Sequence, residues 1–352
     1  MKKFAVFSGF LGSGKTTAMI ALTKFCNENR KKTAMISNDL GHGVELADDR
    51  LARLSGCDAQ AITEQCICYQ NENLADRLEE KYAEGCELVM SDIPGFGVGA
   101  LEHVYHGLSE KFPGRFCLAP FTVLVEPRTV DALREGTGGD LEYLYNTQLV
   151  EADLIVLNKR DLITDAQRQE YENWLLENYP EADCISISAR TGEGLDRLAD
   201  ALMAGEASLK RPDIGYGQAA FVNSMSRISE YYLQYYAVVC CDTFDGTEYL
   251  KTIAESLRES LKKEGFEVPH LKLLAWEPEG DYGKVDLIYI DRPVEITRRF
   301  ERPCTEIAVI LNASAVCPAD RFETLIGEAI ETVSPQYQLE LTVHKKECFG
   351  MM

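Results

Sequence analysis

Residues 7–20, FSGFLGSGKTTAMI, place a glycine-rich turn between an apolar run and a helical pattern. Phe4 to Phe7 suits a buried strand, and Met19, Ile20, Ala21, Leu22 and Phe25 recur at helical spacing after Thr16. Gly9, Gly14, Lys15 and Thr16 fit G-x-x-x-x-G-K-[ST], and Gly12 adds another residue without a Cβ. Such a loop turns successive backbone N–H groups inward around phosphate oxygens, which glycine permits at low steric cost. Lys15 then reaches the β- and γ-phosphates, Thr16 ligates Mg²⁺, and the helix N-terminus adds partial positive charge. Gly9, Gly12, Ser13, Gly14, Lys15, Thr16 and Thr17 are expected to hold a nucleoside triphosphate. The leading lysines and apolar run also suit a signal peptide, but Lys15 interrupts the run early and no small-residue cleavage site follows.

The length of 352 residues suits about two domains. A hydrophobic fraction of 45% and a charged fraction of 26% are ordinary for a soluble globular chain. No stretch approaches the ~20 apolar residues that cross a bilayer. The net charge of −21 disfavours nucleic acid and anionic membrane as partners, because both require basic surface. Twelve cysteines in a chain read as unsecreted imply free thiols and a cytoplasmic address. Cys26, Cys86, Cys117 and Cys184 lie in apolar or amphipathic runs and are expected in the core.

Apolar runs that end in polar residues recur at 33–37 before NDLG, 88–91 before DIPG, 121–125, 154–157 before NKRD, and 184–188. They alternate with helical segments, as a doubly wound parallel sheet requires, and such a sheet gathers ligands at its strand carboxyl ends. Asn158, Lys159 and Asp161 match the N-K-x-D element of GTPases, whose Asp accepts from guanine N1–H and the exocyclic amine. Adenine leaves that carboxylate unpaired, so GTP is the expected nucleotide. Ser188 and Ala189, in SISARTGEGL, stand where a backbone contact to guanine O6 is expected. Asp92 and Gly95 fit D-x-x-G: Asp92 is expected to hold Mg²⁺ through water, and the Gly95 N–H to sense the γ-phosphate. The loop beyond, with Pro94, Gly97 and Gly99, suits a switch ordered by GTP. Asp39, at the end of the second run, either serves Mg²⁺ and the attacking water or caps a turn.

AITEQCICYQNENLADRL lies between these two strand ends. In an extended segment Cys66 and Cys68 direct both sulfurs to one side, and a helix over 72–81 just downstream lowers thiol pKa. Two soft thiolates with the Glu64 carboxylate suit Zn²⁺ or another late first-row metal. The order GFLGSGKTT, N-D-x-G, C-x-C, D-x-x-G, N-K-x-D resembles CobW-type GTPases, over Lys3 to about Leu202. That family shares a class with the urease- and hydrogenase-maturation GTPases, which deliver metals or cofactors to target proteins. Two departures stand out: Tyr69 replaces a third cysteine, and Gln65 replaces the glycine that usually precedes the first.

Domains are expected over 1–208, a P-loop GTPase, and 218–352, joined by the Pro/Gly-bearing connector LKRPDIGYGQ. The second reads as strand, helix, strand, a hairpin strand, strand, helix, strand, a ferredoxin-like α+β pattern. Cys240 and Cys241 end its first strand. His344 and Cys348 read as soft ligands on a mobile tail or as tail alone. Arg298, Arg299 and Arg302 read as a solvated face, with an arginine finger or partner contact as the other reading. The resemblance implies a GTP-hydrolysing metallochaperone or metal-cofactor insertion factor with Mg²⁺·GTP, Zn²⁺ or Co²⁺, and a client metalloprotein or corrinoid-dependent enzyme as partner. A nucleotide-dependent dimer is compatible with it. Turnover without a partner is expected to be slow, ~10³–10⁵ below stimulated rates. Two other readings remain open: a regulatory switch that docks on a client enzyme without carrying metal, and a small-molecule P-loop kinase.

Overall fold

The computed structural model describes residues 2–29, 31–38, 47–62, 66–137, 141–215, 217–240 and 242–351, with no side-chain description at 268–269. It divides into two compact units, Met1–Leu40 with Ser55–Ser224, and Gly41–Leu54 with Met225–Met352.

The first unit alternates strand and helix: β1 (Lys3–Ser8), α1 (Lys15–Glu28), β2 (Thr33–Asn38), then, after an α2 (Ala47–Leu54) that belongs to the second unit, β3 (Ala59–Ile62). There follow α3 (Asn71–Ala83), β4 (Leu88–Asp92), a π-helical turn (Leu101–His106) running into α4 (Gly107–Lys111), β5 (Cys117–Leu118) and β6 (Thr122–Val125). The chain continues through α5 (Pro127–Glu135), α6 (Glu142–Glu151), β7 (Leu154–Leu157), α7 (Asp165–Asn178), β8 (Asp183–Ser186) and α8 (Leu195–Ala204). Seven strands run in the order β3-β2-β4-β1-β6-β7-β8, all parallel, with β5 also pairing β1. Every position of β1, β2 and β4 is buried. That is the expectation for a parallel sheet covered by helices on both faces, and it explains why these strands read as unbroken apolar runs. The doubly wound sheet is as expected; β3 and β5 are short pieces that periodicity does not reveal. Cys26 and Cys86 are buried, whereas Cys117 is exposed in the two-residue β5, against expectation.

The junction of β5 and β6 creates a local problem that the turn at 101–106 solves. β1 pairs with β5 at Lys3 and Phe4, and with β6 at Phe7 and Ser8. Val6 falls in the gap, and its N–H donates instead to the Tyr105 hydroxyl at 3.0 Å. Tyr105 is fully buried, with its ring edge-on to Phe121.

After α9 (Ala219–Met225) the second unit forms β9 (Ile228–Val239), α10 (Gly246–Glu264), β10 (Glu267–Trp276), β11 (Tyr282–Leu287), β12 (Glu295–Arg298), β13 (Glu306–Val316), α11 (Ala319–Val333) and β14 (Leu339–Gly350). The antiparallel order β14-β9-β13-β10 is that of a ferredoxin-like sandwich, extended by β11 and β12 at one edge. Alternate residues of the sheet, Leu233, Tyr235, Leu273, Val309 and Leu311, share one core with Leu250, Leu257, Phe322 and Ile326 of α10 and α11. The other parity meets α2: Ala47 is buried against Leu274 and Ile310. The Ala47 N–H donates to Asn312 Oδ1 at 3.0 Å, Lys272 pairs with Asp48 at 2.6 Å, and Arg50 lies 4.3 Å from the Trp276 ring.

The supposed tail from His344 onward continues the expected last strand as the edge strand β14, paired to β9 as far as Gly350. His344 sits at its register shift, and burial pushes the Cys348 thiol up to about 11, so neither extends as a free ligand arm. Arg298 stacks over Tyr282, Arg299 pairs with Glu248, and Arg302 pairs with Glu277, so the three arginines are spoken for within their own unit. Cys240 is exposed, and Cys241 lies outside the described residues.

Tyr105→Phe keeps the ring and removes the acceptor, leaving the buried Val6 N–H without its partner. The first unit is expected to lose ~1–3 kcal/mol, the usual penalty for such an orphan, read as a lowered urea midpoint at constant m value. An unchanged midpoint would show that another acceptor takes over.

Candidate functional site

Because the sheet is parallel, the residues that follow its strands collect along one edge. The glycine loop follows β1, Asn38 and Asp92 close β2 and β4, and Glu126, Asn158 and Ser188 follow β6, β7 and β8. Phe7 is in register with Asp92, and the Ile93 N–H donates to the Phe7 carbonyl at 3.0 Å.

The glycine loop is shaped by contacts that exclude side chains. Gly9 has φ +126°, and a Cβ there would lie 2.2 Å from the Leu124 carbonyl oxygen; at Gly14, φ +91°, it would lie 2.4 Å from Asn158 Nδ2. Lys15 Nζ folds over the loop, donating to the Gly9 carbonyl at 2.5 Å and the Phe10 carbonyl at 3.4 Å. Thr16 is half-buried and Thr17 exposed in the first turn of α1. Ser13 Oγ is buried without a hydrogen-bond partner among the described residues. A narrow backbone cradle with an orphaned hydroxyl fits a phosphate chain carrying Mg²⁺, with Thr16 and Asp92 as the protein's hard oxygen donors.

At the far end Asn158 acts as a bracket, donating to the Ser13 carbonyl at 2.8 Å and accepting from the Ala189 N–H at 3.0 Å. Lys159 takes a left-handed conformation and pairs with the buried Glu126 at 2.5 Å. Asp161 is exposed and accepts from Ser188 Oγ at 2.6 Å. The two segments expected to read guanine are thus brought together, with the Asp161 carboxylate oriented by Ser188.

Cys66 and Cys68 do not lie in an extended segment. Ile67–Tyr69 is a 3-10 turn, and it brings the two sulfurs to 2.9 Å, closer than alternate strand residues come. The Cys68 N–H also donates to Cys66 Sγ at 3.4 Å. Hydrogen bonding from Cys68 lowers the Cys66 thiol, while that shared bond and burial hold Cys68 well above the ordinary range, so the pair loses its first proton easily and its second reluctantly. Asn38 ties the turn to Asp92: its N–H donates to Asp92 Oδ1 at 3.0 Å, and its Oδ1 accepts from the Ile67 N–H at 3.2 Å. Asn71, at the start of α3, donates to the His103 carbonyl at 3.1 Å. Asp39 and Glu64 lie outside the described residues. Asp58, Glu84 and Cys86 form another cluster of potential ligands, but the Lys81 ammonium already pairs with both carboxylates, at 2.9 and 3.1 Å.

Four polar residues of this site are not evident from motifs: Asn71, Glu126, Gln148 and Glu151, all buried. Gln148 and Glu151 lie in an otherwise mixed helix, and their only sequence signal is a three-residue spacing. Glu151 accepts from the Gly99 N–H at 2.9 Å and the Leu101 N–H at 3.0 Å. Burial pushes its carboxyl up to about 7, against the lowering effect of those two bonds and of Lys210.

A parallel sheet with a glycine-rich loop after its first strand, a D-x-x-G strand end and an N-K-x-D segment beside Ser188 and Ala189 has the layout of a P-loop nucleotide-binding protein of the GTPase type. The CobW/HypB/UreG nucleotide-binding domain matches residues 3–186. The chain belongs to that family, whose members are GTPases involved in metal handling. A curated relative, the small ribosomal subunit biogenesis GTPase RsgA of Sodalis glossinidius (strain morsitans), is 37% identical over 86 residues, 24% of this chain and 24% of its own length. The chain therefore spans about a quarter of that relative. Among solved structures, the hydrogenase maturation factor HypB of Archaeoglobus fulgidus is 21% identical, with 58% of this chain and 89% of that one covered and a TM-score of 0.40. HypB of Helicobacter pylori in complex with nickel is 20% identical, with 58% and 89% covered and a TM-score of 0.42. Zn(II)-bound YjiA GTPase of E. coli is 13% identical, with 93% and 98% covered and a TM-score of 0.35. No helix among the described residues is long and apolar enough to cross a membrane.

The Glu151 carboxyl binds its proton more tightly folded than unfolded, so its contribution is complete below about pH 4.5 and is lost as pH rises through about 7. Stability curves of wild type and Glu151→Gln should therefore diverge in slope across that window, by up to about 3 kcal/mol. Parallel curves from pH 4.5 to 7 would show that the carboxyl titrates normally.

Proposed function

We propose that this chain hydrolyses GTP and uses the nucleotide state to govern a soft-metal site at Cys66 and Cys68, as a metallochaperone or metal-cofactor insertion factor. The observation that carries the reading is the pair of hydrogen bonds from Asp92 through Asn38 to the Ile67 N–H. It joins the strand end that would face Mg²⁺ to the turn that holds the two thiols. A change at one is mechanically felt at the other, because Asn38 is buried and water cannot replace either bond.

The roles follow from position. Lys15 neutralises charge that develops on the β- and γ-phosphates, and Thr16 and Asp92 hold Mg²⁺. When bound, Mg²⁺ would supply positive charge that offsets the charge developing on the phosphates. Asp161 and the Ser188–Ala189 loop select guanine, and Asn158 fixes the loop geometry between base and phosphates. Asp39 is proposed as the group that serves Mg²⁺ or the attacking water, and Glu64 as a third donor beside the cysteines. The cargo is a thiophilic divalent ion, Zn²⁺ or Co²⁺, or a cobalt cofactor, and the partner is the metalloprotein that receives it. A tetrahedral ion about 2.3 Å from each sulfur needs them about 3.8 Å apart, which a small χ1 adjustment of the two cysteines provides.

Lys15→Ala should abolish GTP hydrolysis without unfolding the protein. The stabilisation of ~2.7 kcal/mol that a nucleotide gives at a hundred times its Kd should largely vanish with it. Asp161→Asn should move preference from GTP toward xanthosine triphosphate, whose O2 accepts where guanine donates. Equal GTP stabilisation of wild type and Lys15→Ala, or an unaltered base preference in Asp161→Asn, would remove those residues from the nucleotide site.

Metal binding is expected to release protons and to weaken as pH falls, since the ligands are thiolates. Its affinity should differ between GDP and a GTP analogue, and the metal should change the preference for the analogue over GDP by the same factor. Titration of Zn²⁺ and Co²⁺ into wild type and the Cys66→Ser/Cys68→Ser double variant tests this. Wild-type affinity in the double variant, in every nucleotide state, would refute the thiol site.

A further inference from the structure

One face of α6 grips both halves of the phosphate site. Gln148 Nε2 donates to the Gly95 carbonyl at 2.9 Å and the Gly97 carbonyl at 3.0 Å. Three residues on, and therefore on the same helix face, the two Glu151 oxygens accept from the Gly99 and Leu101 N–H groups at 2.9 and 3.0 Å. Three residues before Gln148, the Tyr145 ring meets Phe10 of the glycine loop edge-on at 4.5 Å, and Phe10 meets Phe96 at 5.4 Å. Gln148 and Glu151 are each 1% exposed.

We propose that Gln148 and Glu151 are positioning residues for GTP hydrolysis, which set the backbone of residues 95–101 so that the Gly95 amide meets the γ-phosphate. The inference rests on the GTPase reading and deepens it. The four bonds run in both directions, donors to two carbonyls and acceptors to two amides, so they define the path of the peptide rather than merely attract it. Fixing the Gly95 carbonyl restricts where the amide on the other side of the same Cα points. With water excluded, releasing any one bond strands a buried polar group, so the segment has one deep arrangement instead of a continuum. The Phe10 contacts couple that arrangement to the glycine loop. GDP lacks the γ-phosphate that Gly95 addresses, so its affinity does not depend on the clamp.

The test uses the full chain as wild type, Glu151→Gln, Gln148→Glu and Gln148→Met. Glu151→Gln sets an amide against one of the two N–H groups, Gln148→Glu sets a carboxylate against two carbonyls, and Gln148→Met keeps length while removing the donor. For each, kcat for GTP, Kd for GDP and Kd for a non-hydrolysable imido analogue of GTP are measured, with melting temperature as a check of folding. The expected result is a loss of ~10-fold or more in kcat and a reduced preference for the analogue over GDP, with Kd for GDP within about twofold of wild type. Should Gln148→Glu not fold, Gln148→Met and Glu151→Gln decide. Variants that keep wild-type kcat, or that lose kcat and GDP affinity in equal proportion, overturn the proposal while leaving the GTPase reading intact. A wild type that binds neither nucleotide, or does not turn over GTP, overturns both.

Discussion

The parallel pairing of β1 with β4, with Phe7 beside Asp92, is the constraint on which the site depends. Side chains alternate faces along a strand, so a one-residue slip would turn the Asp92 carboxylate to the opposite face. Both strands are buried at every position, so hydrophobic burial holds them in the sheet but does not by itself choose between registers. The closing bonds do: the Ile93 N–H to the Phe7 carbonyl, and the Asn38 N–H to Asp92. Once these are made, the glycine loop, the carboxylate and the thiol-bearing turn occupy fixed places on one edge.

That edge is assembled from buried polar groups that complete one another. Asn158 joins the glycine loop to the Ser188–Ala189 segment, Asn38 joins Asp92 to Ile67, and Glu126 takes the Lys159 ammonium. Each amide spends both its donor and its acceptor, which suits a site that holds its shape through cycles of binding and release. The Glu151 carboxylate is the costlier component. Two backbone donors do not fully offset its desolvation, so burial leaves its pKa raised.

The second unit obeys a simpler rule, with two helices on one face of an antiparallel sheet. Its departure is α2, which in chain order lies between β2 and β3 yet packs on Leu274 and Ile310. No periodicity announces this, because ADDRLARL is an unremarkable amphipathic octamer whose apolar face fits any apolar partner. The ferredoxin-like order was legible from the alternation of strands and helices; β12 was not, and the second half of the last strand passed for a tail because HKKECFG carries little apolar pattern.

By itself the sequence determined the phosphate loop, the D-x-x-G and N-K-x-D strand ends and the parallel sheet that presents them. In each case the chemistry resides in contiguous residues whose backbone demands are local: glycine where φ is positive, apolar runs where a strand is covered on both faces. Only the tertiary structure decided how Cys66 and Cys68 meet, since a 3-10 turn rather than an extended segment closes their sulfurs. It alone revealed Asn71, Gln148 and Glu151, whose partners lie three to five tens of residues away along the chain. A buried hydrogen bond is specified by both of its ends, and a sequence displays those ends without displaying that they meet.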